Sequence, residues 1–228
     1  MTEPHPALRT KGLVKKYEDA PALGPLDLRV KRGELVAMLG PNGAGKSTLL
    51  AIAAGLLEAS GGTIEVCGEE PGTIAARRLV SFMPDTPALY DDLTISETAE
   101  FVARLHGAPD WEDRLEALLA RLGLEDRAND LPSQLSRGLR QRASLVLALV
   151  RPFELLLLDE PFATLDARSI EVVASVLREQ AAQGRAVLLA SHQHDALPGD
   201  CRCLYLREGT LARDGTLSGT QSWAAGKI

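Results

Sequence analysis

No apolar run in this sequence approaches the roughly 20 residues that a membrane-spanning helix needs. The longest, from Ala143 to Val150, is interrupted at Ser144, so the chain is not expected to cross a bilayer by itself. The first ten residues, Met1 to Thr10, hold prolines, a histidine and a glutamate, without the basic stretch followed by an apolar one that marks an export signal. A cytoplasmic location is expected. Cysteine is scarce: Cys67, Cys201 and Cys203 form no CxxC pair and have no histidines at zinc spacing, which argues against a disulfide framework and structural zinc. An excess of positive charge is missing too. Lys and Arg total 25 against 31 Asp and Glu, a net charge of -6, whereas binding to a phosphate backbone draws mostly on clustered cations. No nucleic-acid partner is expected.

What is present is an ordinary globular mixture, 45% hydrophobic and 25% charged, in 228 residues without internal repeats or low-complexity linkers. Residues 1–228 are therefore read as one large α/β domain. Leu35 to Leu39 is purely apolar and runs into a glycine-rich turn, as a buried strand feeding a loop does. Short apolar segments at Thr63 to Val66, Leu79 to Met83, Leu155 to Leu158 and Ala186 to Ala190 predict further strands. Between Asp91 and Leu149 the pattern turns helical. Thr94 and Glu97 form a capping box, and Leu115, Leu118, Leu119 and Leu122 fall on one helical face that Gly123 ends. Ile170, Val173, Ala174 and Leu177 place another helix between the Leu155 and Ala186 strands, a βαβ unit. Strand and helix alternate at both ends around a helical insert, which predicts a mainly parallel sheet carrying a helical subdomain, approximately residues 86–149.

Gly40-Pro-Asn-Gly-Ala-Gly-Lys46-Ser47 fits G-x-x-x-x-G-K-[ST] at the junction of a strand and a helix, where a phosphate-binding loop must lie. Glycines let backbone N–H groups turn toward phosphate oxygens, and the helix N-terminus adds partial positive charge. Lys46 would reach the β- and γ-phosphates of ATP, and Ser47 would hold Mg²⁺. Asn42, Gly43, Gly45, Lys46, Ser47 and Thr48 make up the predicted nucleotide-binding set of this loop. A second half follows from Leu155-Leu-Leu-Leu-Asp159-Glu160, where a buried strand delivers two carboxylates at its C-terminal end. Asp159 suits Mg²⁺. Glu160, one residue further, points elsewhere and is predicted to polarise an attacking water.

A third motif, Leu135-Ser-Arg-Gly138-Leu-Arg-Gln-Arg142, resembles the LSGGQ signature of ABC (ATP-binding cassette) ATPases, and the resemblance extends over nearly the whole chain. It implies a P-loop NTPase (RecA-like) core, an N-terminal antiparallel β-subdomain and an inserted α-helical subdomain. It further implies that Ser136 and Gly138 contact the γ-phosphate of an ATP held by another protomer, so that the working unit is a homodimer or heterodimer. Ala163-Thr-Leu-Asp166 resembles the loop between protomers, Ser191-His192 resembles the switch histidine, and Tyr17 occupies the position of the adenine-stacking aromatic. The implied function is that of an ATP-hydrolysing subunit, peripheral on the cytoplasmic face of the membrane, driving an integral membrane transporter subunit encoded separately.

Two departures from the family pattern stand out. Phe82-Met-Pro-Asp85 places an acid where most members carry a glutamine, and Arg137 and Leu139 replace a glycine and the glutamine of the signature, although Gly138 stays. Both variations resemble the exporter and drug-resistance branch. Asp85 is accordingly grouped with Glu160 and His192 as catalytic and with Ser47 and Asp159 as metal-binding. The competing readings are a non-transport ABC ATPase, such as one serving iron–sulfur assembly, and a small-molecule kinase, against which the signature counts.

Overall fold

The computed structural model describes residues 5–18, 20–193, 196, 197, 199 and 201–216. Two sheets organise them. Strands β1 (Leu8–Tyr17) and β2 (Ala20–Val30) form an antiparallel hairpin, with Leu8 opposite Val30 and Tyr17 opposite Ala20. Strand β4 (Gly61–Val66) adds to the other side of β1, giving the order β2-β1-β4. Along β2, Leu26, Leu28 and Val30 are buried while Asp27 and Arg29 are exposed, the period-two alternation of a strand with one face on a core.

The larger sheet has the order β5-β6-β7-β3-β8-β9, from strands β3 (Leu35–Leu39), β5 (Val80–Met83), β6 (Leu155–Asp159), β7 (Ala186–Ala190), β8 (Arg202–Arg207) and β9 (Thr210–Thr216). All pairs are parallel except the antiparallel edge β8–β9. Every residue of β3, β6 and β7 is buried, as expected of central parallel strands covered on both faces.

Successive residues of these strands enter different cores. Leu35, Ala37, Leu156, Leu158, Val187 and Leu189 pack with helices α5 (Arg137–Leu149) and α6 (Ala167–Ala182). Val36, Met38, Leu155, Leu157 and Leu188 pack on the other face with helix α1 (Lys46–Ala53) and the antiparallel sheet.

No strand lies between Met83 and Leu155. That span holds α3 (Ile95–Leu105), α4 (Trp111–Leu122) and α5. The Thr94 capping box forms, with Thr94 N donating to Glu97 Oε2 at 2.9 Å and Glu97 N to Thr94 Oγ1 at 3.2 Å. Gly123 ends α4 at φ 63, where a left-handed residue costs glycine little. Strand β5 starts at Val80 rather than Leu79, because Leu79 closes the short helix α2 (Ile74–Leu79), which the sequence pattern does not announce. Arg151, 8% exposed, ties that junction by donating to Val80 O at 2.8 Å and Arg77 O at 2.6 Å. Burial lowers its pKa to about 10.

Candidate active site

The phosphate loop leaves β3 at Leu39 and enters α1 through Gly45, which provides no side-chain cap. The first N–H groups of α1 are therefore open to an external anion. Two glycines are dictated by close approach. A Cβ on Gly40 would stand 2.2 Å from Leu206 O on β8, and one on Gly45 would stand 2.7 Å from Ala22 O on β2. Both also sit at positive φ, 147° and 96°. The loop is thus wedged between the two sheets. Lys46, the first residue of α1, is 6% exposed, and its Nζ donates to Gly40 O at 2.8 Å and Pro41 O at 3.2 Å. A surface loop lysine would be solvated; this ammonium folds back over its own loop.

Strand β6 carries Asp159 to the same place. It is 6% exposed and hydrogen-bonded with the Ser47 side chain. Its pKa is raised, first by burial and then by the charges of Asp85 and Glu160, against the Ser47 bond and Lys46. Glu160 follows in left-handed backbone at φ 51, with its N–H on Ala190 O at 2.9 Å. Non-glycine residues adopt that conformation at a cost, and such sites cluster where geometry serves function. Its carboxylate Oε2 meets His192 Nδ1 at 2.9 Å and accepts from His192 N at 3.3 Å.

A cleft of about 530 Å³ gathers ten of the predicted site residues: Tyr17, Asn42, Gly43, Gly45, Lys46, Ser47, Thr48, Asp85, Asp159 and Glu160. His192 joins through Glu160. Ser136 and Gly138 are not among the cleft's lining residues. Ser136 caps α5, accepting from Leu139 N at 3.3 Å, and a Cβ on Gly138 would lie 3.1 Å from Thr164 O.

Two participants escaped the sequence reading. Gln141, 4% exposed, donates Nε2 to Glu160 O at 2.8 Å, so α5 grips the backbone of the carboxylate at the cleft. Ala22 lines the cleft. Gln141 stands between Arg140 and Arg142, so the local sequence gives no sign of its burial, and only the folded contact shows that its amide has the partner a buried amide needs.

Mg²⁺ takes oxygen donors, keeps several waters and binds through one or two carboxylates plus phosphates. Ser47 and Asp159 offer that donor set, and a cation would offset the burial and the neighbouring charges that raise the pKa of Asp159. Among the described residues no group of three His, Cys, Asp or Glu forms a protein-only metal cage. The residues fit the ion.

A strand-fed phosphate loop facing paired carboxylates at the C-terminal edge of a parallel sheet defines a P-loop nucleotide hydrolase. Residues 23–163 match the family model described as "ABC transporter". The chain belongs to that family, as an ATP-binding, ATP-hydrolysing cassette. It is 35% identical to the SkfA peptide export ATP-binding protein SkfE of Bacillus subtilis (strain 168), over 91% of this chain and 88% of that one. It is 37% identical to the aliphatic sulfonates import ATP-binding protein SsuB 1 of Paraburkholderia xenovorans (strain LB400), over 91% of this chain and only 59% of that one. Among solved structures, an ATP-binding subunit of an ABC transporter superposes at TM-score 0.85 with 32% identity, covering 96% of this chain and 93% of that one. A dimeric bacterial ABC transporter cassette superposes at 0.82 with 26% identity, covering 92% and 98%.

Proposed function

We propose that residues 1–228 form one nucleotide-binding domain that drives a transporter whose membrane-spanning part is a separate polypeptide, and that ATP is sandwiched between two such domains. The carrying observation is the separation of two donor sets. Lys46 and Ser47 share a cleft with Asp159 and Glu160, while Ser136 and Gly138 at the head of α5 do not line it. One chain thus holds two half-sites.

In this reading the loop from Asn42 to Thr48 cradles the phosphates, and the Tyr17 ring, half exposed with Lys15 Nζ 5.2 Å from its centroid, offers a stacking surface to adenine. Ser47 and Asp159, with Asp85 at the cleft wall, would hold Mg²⁺, which would supply charge neutralisation at the phosphates. Glu160 takes the proton of the attacking water. His192 leaves Glu160 for the γ-phosphate when the partner domain closes. Ser136 and Gly138 meet the partner's ATP.

Support for a membrane partner comes from the region after Asp85. Tyr90 and Phe101 stack edge-on, 5.8 Å apart, and with Leu105 they are 52%, 47% and 68% exposed. Phe101 and Leu105 are one helical turn apart on α3, so they share a face. Docked there, the chain works at the cytoplasmic side of the membrane. The relatives' names include both export and import; the Asp85 loop favours the export branch. Homodimer and heterodimer both satisfy the half-site argument.

The test is Glu160→Gln in saturating Mg-ATP, followed by light scattering. The variant is expected to bind ATP, fail to hydrolyse it and accumulate as a closed dimer, because ATP then bonds both protomers persistently. Adding Ser136→Arg returns it to monomer. A Glu160→Gln protein that binds Mg-ATP and stays monomeric, both alone and with its membrane partner reconstituted, sinks the sandwich.

A further inference from the structure

We propose that Cys201 and Cys203 form a dithiol modification site that closes to an intramolecular disulfide in the presence of a peroxide. Their sulfurs lie 3.7 Å apart, and the two residues are 1% and 0% exposed. Residues two apart on an extended chain point to the same side, which accounts for the meeting. Arg202, between them, turns the other way and is held by Asp214 Oδ2 at 2.6 Å and Glu34 Oε1 at 3.1 Å.

Closure requires the backbone to bend at one end of the pair, because a disulfide needs its Cβ atoms about 3.5–4.5 Å apart and residues two apart on an extended chain hold them roughly 6.6 Å apart. A disulfide brings its sulfurs to roughly 2.05 Å and tolerates Cα separations of about 4.4–6.8 Å. Two residues of extended chain span roughly 6.6 Å, inside that range. Cys203 is fixed in the ladder opposite Ala37 of β3. Cys201 immediately precedes the first residue of β8, so the bend falls at the start of that strand.

Cys203 is assigned the attacking role. Contact with the Cys201 thiol pulls its pKa below the ordinary value, against the opposing effect of burial. Cys67 is instead pushed up by burial, and it follows the last residue of β4 in the other sheet. It serves as an internal bystander.

The chemistry balances with peroxide as the named oxidant. The Cys203 thiolate attacks one peroxide oxygen, the O–O bond breaks, and the departing hydroxide leaves as water after taking a proton, with sulfenic acid remaining on Cys203. The Cys201 sulfur then attacks the Cys203 sulfur, the S–O bond breaks, and a second water leaves. Two thiols and one peroxide become one disulfide and two waters.

A tryptic digest tests this, because Arg202 stands between the two cysteines. Intact protein is treated with hydrogen peroxide, denatured, blocked with N-ethylmaleimide and digested. The peptide ending Cys201-Arg202 and the peptide Cys203–Arg207 are expected to remain joined, or uncut, two hydrogens lighter than the reduced pair, and to be restored by dithiothreitol. Cys67 should carry the maleimide. Cys201→Ser and Cys203→Ser should each abolish the lighter species, and Cys67→Ser should leave it. Maleimide on both positions, sulfinic acid in place of the joined pair, or linkage between isotopically distinct chains would overturn the proposal. The wild-type digest decides it even where a variant fails to fold.

Discussion

The side-chain amide of Gln141 donates to the backbone carbonyl of Glu160 at 2.8 Å, linking helix α5 to the residue that follows strand β6. Glu160 sits in left-handed backbone, so its carboxylate direction depends on what holds that peptide. Gln141→Ala removes the hold without touching the phosphate loop. It is expected to lower kcat about tenfold, the effect of one lost positioning bond, while ATP affinity changes less than about twofold. Steady-state hydrolysis with a separate nucleotide-binding titration checks the split; an affinity loss as large as the rate loss would count against it.

Lys46→Ala should weaken ATP binding by roughly 10- to 100-fold, the cost of a charge-assisted contact to phosphate. Because Lys46 is buried on Gly40 O and Pro41 O, the variant should also melt at a lower temperature without nucleotide. Calorimetric binding and a thermal melt read the two effects separately. Unchanged affinity defeats the site assignment.

Asp159→Asn should stabilise the nucleotide-free protein while abolishing turnover. The fold raises the pKa of Asp159, so it favours the protonated carboxyl. Its contribution to stability is complete below the unfolded value and is lost as pH rises through the folded one. At neutral pH a neutral, isosteric amide removes that cost. A gain of roughly 1 kcal/mol, or about 2–4 °C in Tm for a chain of this size, is expected. A lower Tm at pH 7 would refute the argument.

Asp85 lines the cleft on the Asp159 side and adds to the charge crowding there. Asp85→Ala should lower kcat more than it lowers ATP affinity. Identical kcat in wild type, Asp85→Ala and Asp85→Asn would remove the residue from the site.

Phe101→Asp with Leu105→Asp places charge on the exposed face of α3, away from the cleft. ATP hydrolysis by the isolated chain should stay within about twofold of wild type, as for most surface changes. Recovery of the tagged chain with native membranes should fall. Equal recovery would move the docking surface elsewhere.

Much of the larger sheet is legible in the sequence because β3, β6 and β7 are short apolar runs buried on both faces. The capping box at Thr94 and the leucine face of α4 are local patterns, and both form. Strands β1 and β2 are harder to read, since Lys11, Lys15 and Lys16 interrupt β1 and tertiary pairing rather than composition makes it a strand. Family resemblance, not periodicity, predicts that sheet. β8 and β9 carry arginines and an aspartate whose pairing, Arg202 with Asp214, exists only once the hairpin forms. In the site, the motifs locate the loop and the carboxylates. They do not disclose that Lys46 is buried, that His192 rests on Glu160, or that Gln141 has a partner, because all three depend on elements distant in the chain meeting at one edge.

The larger sheet also acts as a partition between two cores, with Leu156 on the side of α5 and α6 and Leu157 on the side of α1. Adjacent in the chain, they share few packing partners. Energetic additivity follows contact rather than chain order. Truncations at Leu156 and Leu157 should therefore sum almost independently, whereas Leu156 and Val187, neighbours across the register in one core, should couple. Repacking this protein is two separate problems that meet through the backbone of the strands they share, β3, β5, β6, β7 and β8.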